Sequence, residues 1–172
     1  MTLVLCFGTG LESDVVLPVG VVLITCSVVL PVLLALLFLS LGRIKDVDVT
    51  ERKDRMGLFL VVMAVQIIGA FITFTFPVTL IFRQLVVLEL IIFCIASVIT
   101  NYYKISIHAL SATTLYLVFG YVTGYRYWWT FSVIIIVCWA RLRLNKHTLM
   151  QLVLGCAVPL VVFLTGLLTV LE

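Results

Sequence analysis

Charge is what this sequence has least of. Only 11% of its 172 residues are Asp, Glu, Lys or Arg, against about 25% in a typical soluble domain. Its hydrophobic share is 64% and its mean hydropathy +1.33. That composition excludes an ordinary water-soluble enzyme, a disordered chain and a nucleic-acid-binding module. Cysteine pairs are missing too. The five cysteines, Cys6, Cys26, Cys94, Cys138 and Cys156, contain no CxxC. Four of them lie inside apolar runs, and so scattered an odd set supports neither a disulfide framework nor a zinc site. They read as small buried hydrophobes. There is no internal repeat and no low-complexity linker. Residues Met1–Gly10 lack the basic stretch that opens a secretory signal, so none is expected.

What the chain has instead is long runs without charge. Val15–Leu41, Gly57–Phe82, Tyr127–Ala140 and Thr148–Leu171 carry none, Gln84–Tyr103 carries only Glu89, and Ile105–Tyr125 only His108. A helix needs about 20 apolar residues to cross a bilayer. The runs predict an all-α polytopic membrane protein, one membrane domain over 1–172 with a six-transmembrane-helix bundle. The helices are expected at about 15–41, 57–82, 84–103, 105–125, 127–144 and 148–171, with turns near Arg83 and Arg126. Pro18, Pro31, Pro77 and Pro159 are expected to kink or end helices. Tyr125, Tyr127, Trp128 and Trp129 form an aromatic belt at the start of the fifth. Glu89, near the middle of the third, is expected to face the bundle interior.

Six alternating spans put the loops at 42–56, 101–104 and 141–147 on one membrane side. That side collects Arg43, Lys45, Arg52, Lys53, Arg55, Lys104, Arg141, Arg143 and Lys146, nine of the eleven basic residues. By the positive-inside rule it would be cytoplasmic. Both histidines, His108 and His147, fall at the same side, where the second, fourth and sixth helices begin. Helix N-termini offer unpaired N–H groups and partial positive charge. Cations, imidazoles and helix N-termini at one face suit a phosphate, with one histidine available as nucleophile and the other as proton donor.

The spacing carries a resemblance. Arg141-Leu-Arg-Leu-Asn-Lys-His147 is Arg-x5-His, Ser106-Ile-His108 is Ser-x-His at a helix start, and Lys45 to Arg52 is Lys-x6-Arg. In number and chemistry these resemble the three motifs of the type 2 phosphatidic acid phosphatase superfamily. The runs Lys104-Ile-Ser-Ile-His108, Trp139-Ala-Arg-Leu142, His147-Thr148 and Gly155 look like a divergent membrane branch of it. The resemblance covers about residues 40–160 and implies roles residue by residue. His147 would attack phosphorus and form a phosphohistidine, and His108 would protonate the leaving group. Arg141, Ser106, Lys45 and Arg52 would bind phosphoryl oxygens, with Lys53, Arg55 and Lys104 in support. No cofactor and no metal is implied. The implied partners are membrane lipids, with a lipid phosphate or lipid diphosphate as substrate, in a bacterial inner membrane.

The motifs also depart from the family pattern. Ile105 and Ile107 replace Pro and Gly of the second motif, Ala140 replaces Ser of the third, and Lys53 replaces Pro of the first. The first motif lies between helices one and two rather than directly before the second motif. Gln151 stands where the family has an Asp that holds the nucleophilic imidazole. Four residues after His147 on a helix, it shares that face and can orient the ring, but it brings no charge. Two further readings therefore stand beside the phosphatase: a non-catalytic member that binds a phosphorylated lipid headgroup, and a small transporter or assembly protein whose basic loops only set topology.

Overall fold

The computed structural model describes residues 10–45 and 52–170, except for the side chains of 52–55 and 167–170. Its regular structure is helical. Among the described residues the longer helices are α1 (Ser13–Ser40), α2 (Arg52–Phe74), α3 (Leu80–Tyr102), α4 (Ile107–Thr123), α5 (Ser132–Arg143) and α6 (Leu149–Val170). Four of them, α1, α2, α3 and α6, contain stretches long and apolar enough to cross a membrane. This is an all-α membrane protein. The large apolar side chains exposed along these helices, among them Leu33, Phe71 and Val161, face what would be lipid, because a bilayer imposes no cost on them.

Two elements depart from the expected boundaries. The turn between the second and third helices lies at 75–79, not at Arg83. Pro77 has no N–H and cannot continue α2, and Thr79 caps α3 by accepting a hydrogen bond from Phe82 N at 3.3 Å. Arg83 therefore sits in the first turn of α3, with its guanidinium 5.8 Å from the centre of the Phe74 ring, a cation–π arrangement. The fifth helix begins at Ser132 rather than 127. Trp128–Phe131 form a 3-10 turn, and Trp128 and Trp129 are exposed. Alpha-helical residues of α5 alone span about 18 Å, short of the roughly 30 Å hydrocarbon core.

The prolines act one by one. Pro18 and Pro159 lie inside α1 and α6. Pro31 follows a π-helical turn at Thr25–Val29, where Leu30 N bonds to Thr25 O five residues back. The proline ring cannot donate to the carbonyl of Ser27 and would crowd it. The widened turn relieves that clash.

Packing then orders the bundle. One apolar cluster joins Val19 and Leu23 of α1, Phe82 and Val86 of α3, Leu117 of α4 and Phe163 of α6. A second joins Ile92 and Ala96 of α3 to Ile105, Leu110 and Val162, nearer the other end. Helices α4 and α6 run closely side by side, and α5 packs on α4. The α4–α6 approach depends on Gly155, where a Cβ would lie 2.7 Å from the backbone oxygen of Ser106. Small residues at such crossings let membrane helices touch by their backbones.

Candidate functional site

Helix α5 ends in a defined turn. Asn145 has φ 51°, the left-handed region. Asn145 N bonds to Leu142 O at 3.0 Å and Lys146 N to Arg141 O at 3.1 Å. This is a Schellman motif with asparagine in the place usually held by glycine. It reverses the chain within the five residues between Arg141 and His147. The Arg-x5-His spacing thus has a structural cause: Arg141 sits in the last turn of α5 and His147 just ahead of α6.

The start of α6 is a capping box. Gln151 N donates to Thr148 Oγ1 at 3.4 Å, and Gln151 Oε1 accepts from Thr148 N at 3.2 Å. The same Oε1 lies 3.0 Å from His147 Nδ1. A backbone N–H can only donate, so the atom facing it is the amide oxygen. An amide oxygen can only accept, so His147 Nδ1 carries the proton. The lone pair of His147 is then on Nε2.

The start of α4 meets this turn. Ser106 N donates to Gln151 O at 3.1 Å. The Ser106 hydroxyl caps α4 by accepting from Ala109 N at 3.4 Å, and the residue is fully buried. Ser106, implied as a phosphate ligand, thus joins α4 to α6 through its backbone N–H and caps α4 through its hydroxyl oxygen. Its neighbour His108, in the first turn of α4, is exposed. Lys104, in the turn before α4, donates from Nζ to Lys146 O at 3.4 Å and so crosses from the α3–α4 turn to the α5–α6 turn.

These contacts bring Lys104, His108, Arg141 and His147 to one end of the bundle. Their charges act on one another. Burial lowers the His147 pKa below the ordinary histidine value. The Gln151 hydrogen bond opposes this, and the charges of Lys104, Arg141 and His108 add to the lowering. The balance favours the neutral form of the His147 ring.

Of the other implied ligands, only Lys45 has a described side chain. Lys45 is exposed next to Ile44, and Ile44 is buried against Leu58 and Val62 of α2, Phe38 of α1 and Phe93 of α3. The loop at 42–56, expected on the same membrane side, includes residues 46–51, outside the described residues. Arg52, Lys53 and Arg55 open α2, but their side chains fall outside the description as well. Among the described residues, no group of three or more His, Cys, Asp or Glu converges as a metal site would require. Two local features escaped the sequence reading. The Thr-x-x-Gln signature of Thr148 and Gln151 could have revealed the capping box. Asn145 at the end of an apolar helix could have revealed the turn. No family model, no curated protein and no solved structure matches the chain.

Proposed function

We propose that this membrane protein is a lipid phosphate phosphatase that works through a phosphohistidine. The observation that carries the reading is the His147 imidazole. Its Nδ1 proton is committed to Gln151 Oε1, its ring is neutral, and it lies in a cluster of cations at the end of three helices. The Nε2 lone pair attacks phosphorus, a P–N bond forms and the ester P–O bond breaks. His108 gives its proton to the departing alkoxide. Water then attacks the phosphohistidine, loses a proton to His108, and releases inorganic phosphate with His147 restored. Arg141 and Lys104 supply the charge that stabilises the phosphoryl oxygens in both steps. Two neighbouring features support a lipid as the substrate: the site lies beside membrane-crossing helices, and its leaving group would emerge among acyl chains. The bacterial inner membrane is the setting this reading expects.

The test is phosphate release by the purified chain from phosphatidic acid and from a polyprenyl diphosphate. His147→Ala is expected to lower the rate by at least about 10³-fold, as removal of a covalent nucleophile does. Equal rates for wild type and His147→Ala would overturn the phosphatase reading. A second reading, headgroup binding without turnover, is favoured by Gln151, which orients the imidazole but cannot stabilise it as a cation. It is distinguished by phosphatidic acid binding that depends on Arg141 without phosphate release.

A further inference from the structure

Between α4, α5 and α6 runs a groove of about 430 Å³, within the roughly 300–1,000 Å³ of small-molecule sites. It exists because α5 packs on α4 rather than along α6. Cys138 of α5 and Cys156 of α6 both line the gap. The walls are almost wholly apolar. Thr113 and Tyr116 bring the hydroxyl groups among them, and Thr113 Oγ1 is already bonded to Ala109 O at 2.9 Å.

One end of the groove is the end of the bundle that carries Lys104, Arg141 and His147. Leu142 and Leu149 line it. The first follows Arg141 directly, and the second stands two residues after His147. The other end is bounded by Tyr116, Phe131 and Leu160, at the level of the aromatic belt. Between them α5 supplies about 18 Å of wall, slightly more than the depth of one leaflet, about half of a 30 Å core.

We infer that this groove seats one acyl chain of a lipid phosphate whose headgroup lies against Arg141, Lys104 and His147. The inference rests on the phosphate-site reading above and adds where the tail goes. Three features select a lipid chain over a second copy of this protein: the apolar wall, its leaflet-scale length, and a mouth whose cations complement an anionic headgroup. A bilayer is as apolar as the groove, so transfer of the chain gains no hydrophobic energy. The groove therefore sets position, and the headgroup contacts supply the hold.

That division of labour makes the inference testable. The full chain is placed in phosphatidylcholine nanodiscs with phosphatidic acid bearing a diazirine midway along one acyl chain. After illumination, adducts are mapped by mass spectrometry. The expected result is labelling of Thr113, Cys138, Val153 and Cys156 about tenfold above the lipid-facing Phe71 and Ile135. A diacylglycerol probe with the same chain should lose that enrichment, and so should Arg141→Ala. Ala157→Phe, which fills the groove, should abolish it. Val153→Trp provides a second filling variant, and helical content by circular dichroism verifies both folds. Enrichment in the groove that is equal for both probes would overturn the phosphate coupling, and with it the phosphate-site reading. A phosphatidic-acid-specific signal that lies outside the groove, or survives both filling variants, would overturn the groove assignment alone.

Discussion

At the scale of single residues, the candidate site turns on Gln151. Its amide oxygen accepts from Thr148 N and from His147 Nδ1 at once, so one atom caps a helix and selects a tautomer. Gln151→Leu removes this acceptor and with it both bonds. It is expected to lower phosphate release by about 10–100-fold, the usual cost of losing a group that orients a reactive imidazole, and to destabilise the protein by about 1 kcal/mol through the lost cap. Gln151→Glu keeps both bonds and adds the charge that stabilises an imidazolium. It is expected to raise the rate above wild type in the same assay.

The His147 titration gives a second expectation at this scale. Its folded pKa is depressed by burial first and by the nearby positive charges after that. The neutral ring is the reactive form, so activity is present above that depressed pKa and falls as pH drops through it. The acid limb of the pH–rate profile should lie below the ordinary histidine value of about 6.5. Lys104→Met removes one of the repelling charges, so the limb should move upward toward 6.5. A limb that stays in place would show that the Lys104 charge does not act on the titrating group. For stability the sign is the same: the contribution of a neutral, half-buried His147 is present above its unfolded pKa and lost on acidification through its folded one.

At the scale of elements, two junctions hold the site together. The first is the α5–α6 turn. Asn145 adopts a left-handed conformation, in which a β-branched side chain is strained by about 1–2 kcal/mol. Asn145→Val should therefore lower the thermal midpoint in detergent, while Asn145→Gly should leave it nearly unchanged. The second is the α4–α6 crossing. In Gly155→Ala the new methyl group would lie against a backbone oxygen rather than a movable side chain. Overpacking of this kind costs about 1–3 kcal/mol. The helices can meet that cost only by separating at Ser106, which widens the gap between His108 and His147. The thermal midpoint and the phosphate release rate should fall together. A stability loss with unchanged turnover would mean that the crossing does not position the histidines.

At the scale of the whole molecule, Lys104, Arg141 and His147 lie at one end of the bundle and the Trp128–Phe131 turn at the other, an arrangement that predicts opposite membrane faces. Cysteine introduced at Lys146 and cysteine introduced at Arg126 should react with an impermeant thiol reagent from opposite sides of a sealed vesicle. Reaction of both from one side would end the topology and, with it, the grouping of the site residues on one surface.

The sequence by itself determined the solvent of this protein and most of its helices. Charge-free runs of membrane length admit no other regular structure, because lipid offers the backbone no hydrogen bonds and each span must satisfy its own. It misplaced the α2–α3 boundary because it took Arg83 for a loop residue, whereas an aromatic ring and a threonine cap let that cation sit inside a helix. The Arg141–His147 relation was also legible, since a six-residue separation across one turn is a local property. Local spacing could not bring His108 to His147 or withdraw Ser106 into a buried cap. Nor could it open a gap between α5 and α6. Those outcomes depend on how closely α4 approaches α6, which is decided by what a missing Cβ at Gly155 allows across fifty residues of chain.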